Sequence, residues 1–204
     1  MKRLAFLTFL FLFINSVFAA CCLYDSCGCG KVEGTAYKAT DLKLILHKFT
    51  SNVPYYTGDV LPANSTAGYN QFAFVFYPEV TSITAMNNFR SQSALAFACS
   101  PAYNPSQEFK SIKIQSNTDY STQSKTFPAG EDLSSLFSIS NLYTGDNQSI
   151  AEFLGQNNRS VYDEAFYLQL MTAPLANVRH QFTFTFELSD NSTIEVSSDP
   201  IEIK

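Results

Sequence analysis

Alternation of apolar and polar side chains is the dominant pattern from residue 41 onward. Through 41–47, Leu42, Leu44 and Leu46 fall on one side of an extended chain, with Lys43 and His47 on the other. Phe72, Phe74 and Phe76 alternate with Ala73, Val75 and Tyr77, so both faces are apolar and a central strand is predicted. Residues 94–99 read the same way, up to Ser100-Pro101. Residues 109–115 form a half-buried strand, and 165–171 another. Phe182, Phe184 and Phe186 alternate with Thr183, Thr185 and Glu187. A turn over Ser189-Asp190-Asn191-Ser192 and a return strand with Ile194 and Val196 on one face complete a hairpin. Pro200 precedes a last short alternating piece, 201–203.

Helical signals are few. Residues 131–137 suit one helical turn. Ser149-Ile150-Ala151-Glu152 has the form of a capping box, in which each end side chain bonds the other's backbone N–H, and it predicts a short helix from Ile150 to about Gly155. About seven strands with one short helix predict an all-β fold, an antiparallel immunoglobulin-like β-sandwich. Residues 51–69, with Pro54, Gly58, Pro62 and Gly68, are loop chemistry; Tyr55, Tyr56 and Tyr69 make this loop the best-equipped candidate binding surface.

The N-terminus departs from this pattern. Lys2 and Arg3 precede a run from Leu4 to Ile14 that is apolar except for Thr8, too short for the roughly 20 residues of a stable membrane span. Asn15 and Ser16 break the run before Val17-Phe18-Ala19-Ala20, so residues 1–20 read as a signal peptide. Residues 21–31 then form a Cys-rich tether, and 32–204 a single sandwich domain. Two cleavage readings compete. Val17-Phe18-Ala19 suits an ordinary signal peptidase, whereas Phe18-Ala19-Ala20-Cys21 resembles a lipobox with Phe in place of the usual Leu. The five cysteines favour the lipobox, because lipid on Cys21 leaves Cys22, Cys27, Cys29 and Cys99 to pair completely. Cys99 with Cys27 or Cys29 would close a loop of about 70 residues, and the alternative is a buried free thiol. The Cys spacing does not suit zinc, and no metal or cofactor is expected.

Composition narrows the function. The formal charge of −5 and the lack of a basic run argue against nucleic acid as a partner. With 46% hydrophobic residues, 19 Phe and 11 Tyr, the chain can bury a substantial core. His47 and His180, the only histidines, lie in no hydrolase motif and read as strand-surface residues. Glu131, Asp132, Asp163 and Glu164 are the carboxylates a glycoside hydrolase could pair, but adjacent loop acids are usually solvated and there is no Trp platform. Gly145-Asp146-Asn147 and Ser189-Asp190-Asn191 are turn signals before they are calcium ligands. Asn-x-Ser/Thr sequons begin at Asn64, Asn147, Asn158 and Asn191 and would matter in a eukaryotic secretory protein.

Three stretches carry a resemblance: Ala98-Cys99-Ser100-Pro101, Ile112-Lys113-Ile114-Gln115-Ser116-Asn117-Thr118-Asp119-Tyr120, and Pro128-Ala129-Gly130-Glu131-Asp132-Leu133-Ser134-Ser135-Leu136-Phe137. Together they resemble a family of Bacteroidota envelope proteins, known as a domain of unknown function and often carried as predicted lipoproteins. The resemblance implies an envelope location and supplies no catalytic or binding residue. The expectation is an exported envelope protein, non-enzymatic, held to the membrane by an N-terminal lipid anchor, as an outer-membrane lipoprotein. Without lipid on Cys21 it would be secreted or periplasmic. Its sandwich would bind an envelope protein or glycan, or be structural. The alternative is a secreted hydrolase acting on glycans or peptides through carboxylates.

Overall fold

The computed structural model describes residues 36–49, 58–83, 104–141, 147–156 and 165–204. The chain divides into two compact units, Met1–Thr35 with Thr84–Asn104, and Ala36–Ile83 with Pro105–Lys204. Of the first unit only Asn104 is among the described residues, and the second carries the sandwich. The predicted strand at 94–99 and all five cysteines lie outside the described residues.

Seven strands of five residues or more make the body of the fold: β1 (Ala36–Lys48), β3 (Phe72–Ile83), β5 (Phe109–Ser116), β8 (Phe137–Asn141), β10 (Phe166–Leu170), β12 (Phe182–Leu188) and β13 (Thr193–Ser197). Short pieces join them: β2 (Thr66–Ala67), β4 (Asn104–Pro105), β6 (Tyr120–Ser121), β7 (Thr126–Phe127), β9 (Gln148–Ser149), β11 (Val178–His180) and β14 (Ile201–Ile203). One sheet runs β4-β1-β3-β10-β8-β9 and the facing one β13-β12-β5; a third, β11-β14-β2, contains a parallel β14–β2 pair, and β6 pairs β7. The long pairings β1–β3, β3–β10, β8–β10, β5–β12 and β12–β13 are all antiparallel. Among the described residues the fold is an all-β, mainly antiparallel β-sandwich with one short helix.

Phenylalanines fill the space between the sheets. Phe74 meets Phe182 at 5.3 Å and Phe184 at 4.9 Å between ring centroids, and Phe76 meets Phe184 at 5.0 Å and Phe186 at 5.2 Å. Edge-to-face pairs at such separations add to the apolar area that each ring removes from water. Phe72 through Phe76 are fully buried on both faces, as a central strand requires. Pro78 is tolerated in β3 because it lies beyond the β10 pairing, which covers Phe74 to Phe76, and needs no N–H on that side.

The burial pattern of β5 corrects a simple alternation. Phe109 and Ile112 are both buried although three residues apart. The register against β12 shifts between Glu187 and Leu188, so one residue is left unopposed and Phe109 returns to the core face. The helical signals behave as expected. A single 3₁₀ turn spans Ser134–Leu136, and α1 spans Ile150–Leu154 with both halves of the Ser149–Glu152 capping box formed.

Candidate functional site

Two of the four carboxylates nominated for hydrolysis, Glu131 and Asp132, lie at a turn. Gly130, at φ 81°, closes a turn in which Glu131 N–H donates to the Pro128 carbonyl at 2.9 Å. Glu131 then pairs with Lys125 at 2.6 Å. Asp132 accepts from the Ser134 N–H at 3.0 Å, the Ser134 hydroxyl at 3.1 Å and the Ile114 N–H at 3.2 Å, fixing the 3₁₀ turn against β5. Neighbours in sequence, the two acids serve different partners. Asp163 and Glu164 lie outside the described residues.

The turn at Asp190 is densely bonded. Asn191 adopts φ 61°, which an asparagine tolerates. Asp190 Oδ1 accepts from Ser192 N–H at 3.0 Å and Ser192 Oγ–H at 2.5 Å. Its Oδ2 takes Lys38 Nζ at 2.9 Å and Gln107 Nε2 at 2.9 Å. The bond from Lys38, followed by those from Ser192 and Gln107, holds this carboxyl well below the usual carboxylate range. Gln107 is 2% exposed, and its Oε1 accepts the Ala39 N–H at 2.8 Å, where β1 shifts register against β3. One amide side chain thus serves a backbone group of β1 and the hairpin turn of the opposite sheet. Beside it Glu187 accepts from Lys110 Nζ at 2.5 Å and Ser111 Oγ at 3.1 Å, and the Lys110 bond first, then that of Ser111, lowers its pKa.

The two imidazoles differ. His47 is half-buried on β1, with Nδ1 2.9 Å from the Gly58 carbonyl oxygen, and its ring lies 6.5 Å from that of Tyr77. His180 is 1% exposed, which corrects its reading as a strand-surface residue. It ends β11 and shares the parity of Phe182, Phe184 and Phe186, so the alternation that buries them carries it inward. Its Nδ1 lies 2.9 Å from both Ser116 Oγ and Thr118 Oγ1, and its ring stacks on Phe182 at 5.6 Å and tilts against Tyr120 at 5.1 Å. Burial pushes its pKa down to about 4. Tyr120 is fully buried, donates to the Thr172 carbonyl at 2.7 Å, and burial raises its phenol pKa further above the ordinary value.

Tyr69 of the candidate loop is half-buried and packs against the core, its N–H donating to the Lys204 carbonyl at 3.1 Å; Tyr55 and Tyr56 lie outside the described residues. Among the sequons, Asn64, Asn147 and Asn191 are exposed and Asn158 is not among the described residues. Among the described residues no group of three or more His, Cys, Asp or Glu is arranged to hold a metal ion, and no helix is long and apolar enough to cross a membrane. Sequence reasoning missed Gln107, whose burial has no local signal, and the depth of His180, which its parity carries.

No protein-family model and no curated protein matches the chain. Two solved structures are similar in parts: one named BspA_C_mut, with 12% identity and a TM-score of 0.26, and the C-terminal domain of the Streptococcus pyogenes antigen I/II-family protein AspA, with 11% identity and a TM-score of 0.25. Each comparison covers 80% of this chain and 46% of the other, so the chain matches less than half the length of either. The sandwich architecture rests on this chain's own sheets and core.

Proposed function

We propose that the chain is an exported cell-envelope protein, anchored by lipid on Cys21, whose sandwich acts as a non-enzymatic binding or structural module. The observation that carries the non-enzymatic reading is how the described reactive side chains are engaged. Asp132 and Asp190 hold turns, Glu131 and Glu187 pair with lysines, and His180 fills the core between hydroxyls and rings. A general acid or base must instead reach a substrate proton across an accessible gap of about 3 Å. The N-terminal pattern through residue 20 supports export, and the lipobox-like Phe18-Ala19-Ala20-Cys21 supports the anchor. A lipid-bearing cysteine with several acyl chains holds a protein firmly at a membrane, as one chain does not.

The resemblance to Bacteroidota envelope proteins agrees with this location. The partner is an envelope protein or glycan met by the loops, while the strands act as a rigid frame. The test is metabolic labelling with an alkyne fatty acid in a bacterial host that processes lipoproteins. The wild-type chain is expected to take up label and fractionate with membranes, and Cys21→Ser to do neither. Equal labelling of both would remove the anchor.

A further inference from the structure

We propose that His180 is an acid-sensitive latch, which holds the small β11-β14-β2 sheet onto the sandwich while its ring is neutral and releases it when the ring is protonated.

Burial among hydroxyls and rings favours the neutral ring. Thr118 N–H donates to Ser116 Oγ at 3.2 Å, and the Thr118 hydroxyl is 3.3 Å from the Arg179 carbonyl, to which it donates. His180 Nδ1 lies between these two neutral hydroxyls, 2.9 Å from Ser116 Oγ and 2.9 Å from Thr118 Oγ1. Protonation makes both ring nitrogens donors, while the bonded partners of Nδ1 are neutral hydroxyls that carry no compensating charge. It also places a full charge in a site with 1% exposure, against the rings of Phe182 and Tyr120.

The charged and titratable groups of the packed elements do not compensate. Lys110 and Lys113 on β5 are exposed, and Glu187 on β12 is bonded to Lys110. Asp119 in the intervening turn accepts the Ala129 N–H at 2.8 Å. Arg179 on β11 and Glu202 on β14 approach each other at 3.9 Å, at positions that alternate with the buried His180 and Ile201. Tyr120 on β6 meets the ring, and burial keeps its phenol neutral.

The latch sits where the small sheet joins the sandwich. His180 pairs with Ile201 of β14, and β14 is joined to the β2 segment by the Glu202 N–H to the Ser65 carbonyl at 3.0 Å and the Lys204 N–H to the Ala67 carbonyl at 3.0 Å. Ile201 and Ile203 of β14 are fully buried.

Because the folded pKa lies below the ordinary value of 6.5, the stabilisation is fully present above 6.5 and is lost as pH falls toward about 4. The test uses the mature full-length chain. With two histidines, imidazole NMR resonances are assigned by a single His47→Gln variant. The His180 resonance is expected to titrate well below that of a free imidazole. Between about pH 7 and about pH 5 the wild-type unfolding constant is expected to rise roughly 20-fold more than that of His180→Gln. Hydrogen exchange, corrected for its intrinsic pH dependence, is expected to rise first in β11 and β14. An ordinary His180 pKa, or equal pH dependence in wild type and variant, would overturn the latch. If His180→Gln fails to fold, the wild-type resonance alone decides.

Discussion

At the hairpin end of the β13-β12-β5 sheet, Asp190 is charged, partly solvated and bonded to Lys38, Ser192 and Gln107; at the other end, His180 is buried among hydroxyls and rings. Both groups close the sandwich at a point where strand gives way to turn or bridge. The difference is solvation. A carboxylate at the rim keeps water and gains donors, so its charge is stabilised. An imidazole in the core has no carboxylate bonded to it among its described partners, so only its neutral form suits the fold. Acid therefore acts on the two ends in different windows. The His180 end weakens between about 6.5 and about 4, and the Asp190 end only below the ordinary 3.8 of its carboxyl.

The largest expected effect lies between the two ends. Phe184→Ala removes a fully buried ring that touches Phe74, Phe76, Phe137 and Phe182, and should cost about 3–5 kcal/mol. Urea unfolding followed by tyrosine fluorescence and by far-ultraviolet circular dichroism should shift together, because both ends lean on this ring. Separate transitions would mean that the ends unfold independently.

Gln107→Ala should act mainly at the hairpin end. It leaves the Ala39 N–H without its 2.8 Å acceptor at a buried position and removes one donor from Asp190, at a cost of about 1–3 kcal/mol. Hydrogen exchange should rise at Ala39 and through 189–192, leaving β11 protected. A loss confined to β11 would contradict the assignment of Gln107 to the hairpin end.

The smallest effect is expected from Asp190→Asn. The amide oxygen can still accept from Ser192, while the charge facing Lys38 is lost, so stability near neutral pH should fall slightly. A carboxyl with a lowered folded pKa contributes stability above 3.8 and loses it as pH falls further. The variant's stability curve should therefore be flatter than that of wild type below about pH 4 and parallel to it between about pH 5 and about pH 7. A difference confined to the higher window would place the acid response of this turn on another group.

Much of the architecture is local and could be read before any contact was known. The period of two in 72–76 and 182–188, the Ser149–Glu152 capping box, and the turn at 189–192 each depend on residues within a few positions of one another. The same parity signal is present for His180, in the even-numbered Phe182 series, and the structure corrects its expected place on the strand surface. Asp132 and Asp190 were legible as turn formers.

Other features came only with the tertiary structure. The bulge beside Phe109, where Lys110 is unopposed, moves that ring from the parity of Lys113 to the parity of the core, because an unopposed residue resets every side chain beyond it. Gln107 is buried because β1 shifts register at Ala39, 68 residues before it, and the hairpin turn at Asp190, 83 residues after it, arrives beside it. The partners of His180 were not legible for the same reason: Ser116 lies 64 residues away, and only the β5–β12 register brings it beside the imidazole. Periodicity fixes which way a side chain faces, because that is set by its own backbone. Which group it meets there is set by how distant strands align, and that alignment is chosen by the packing of the whole core.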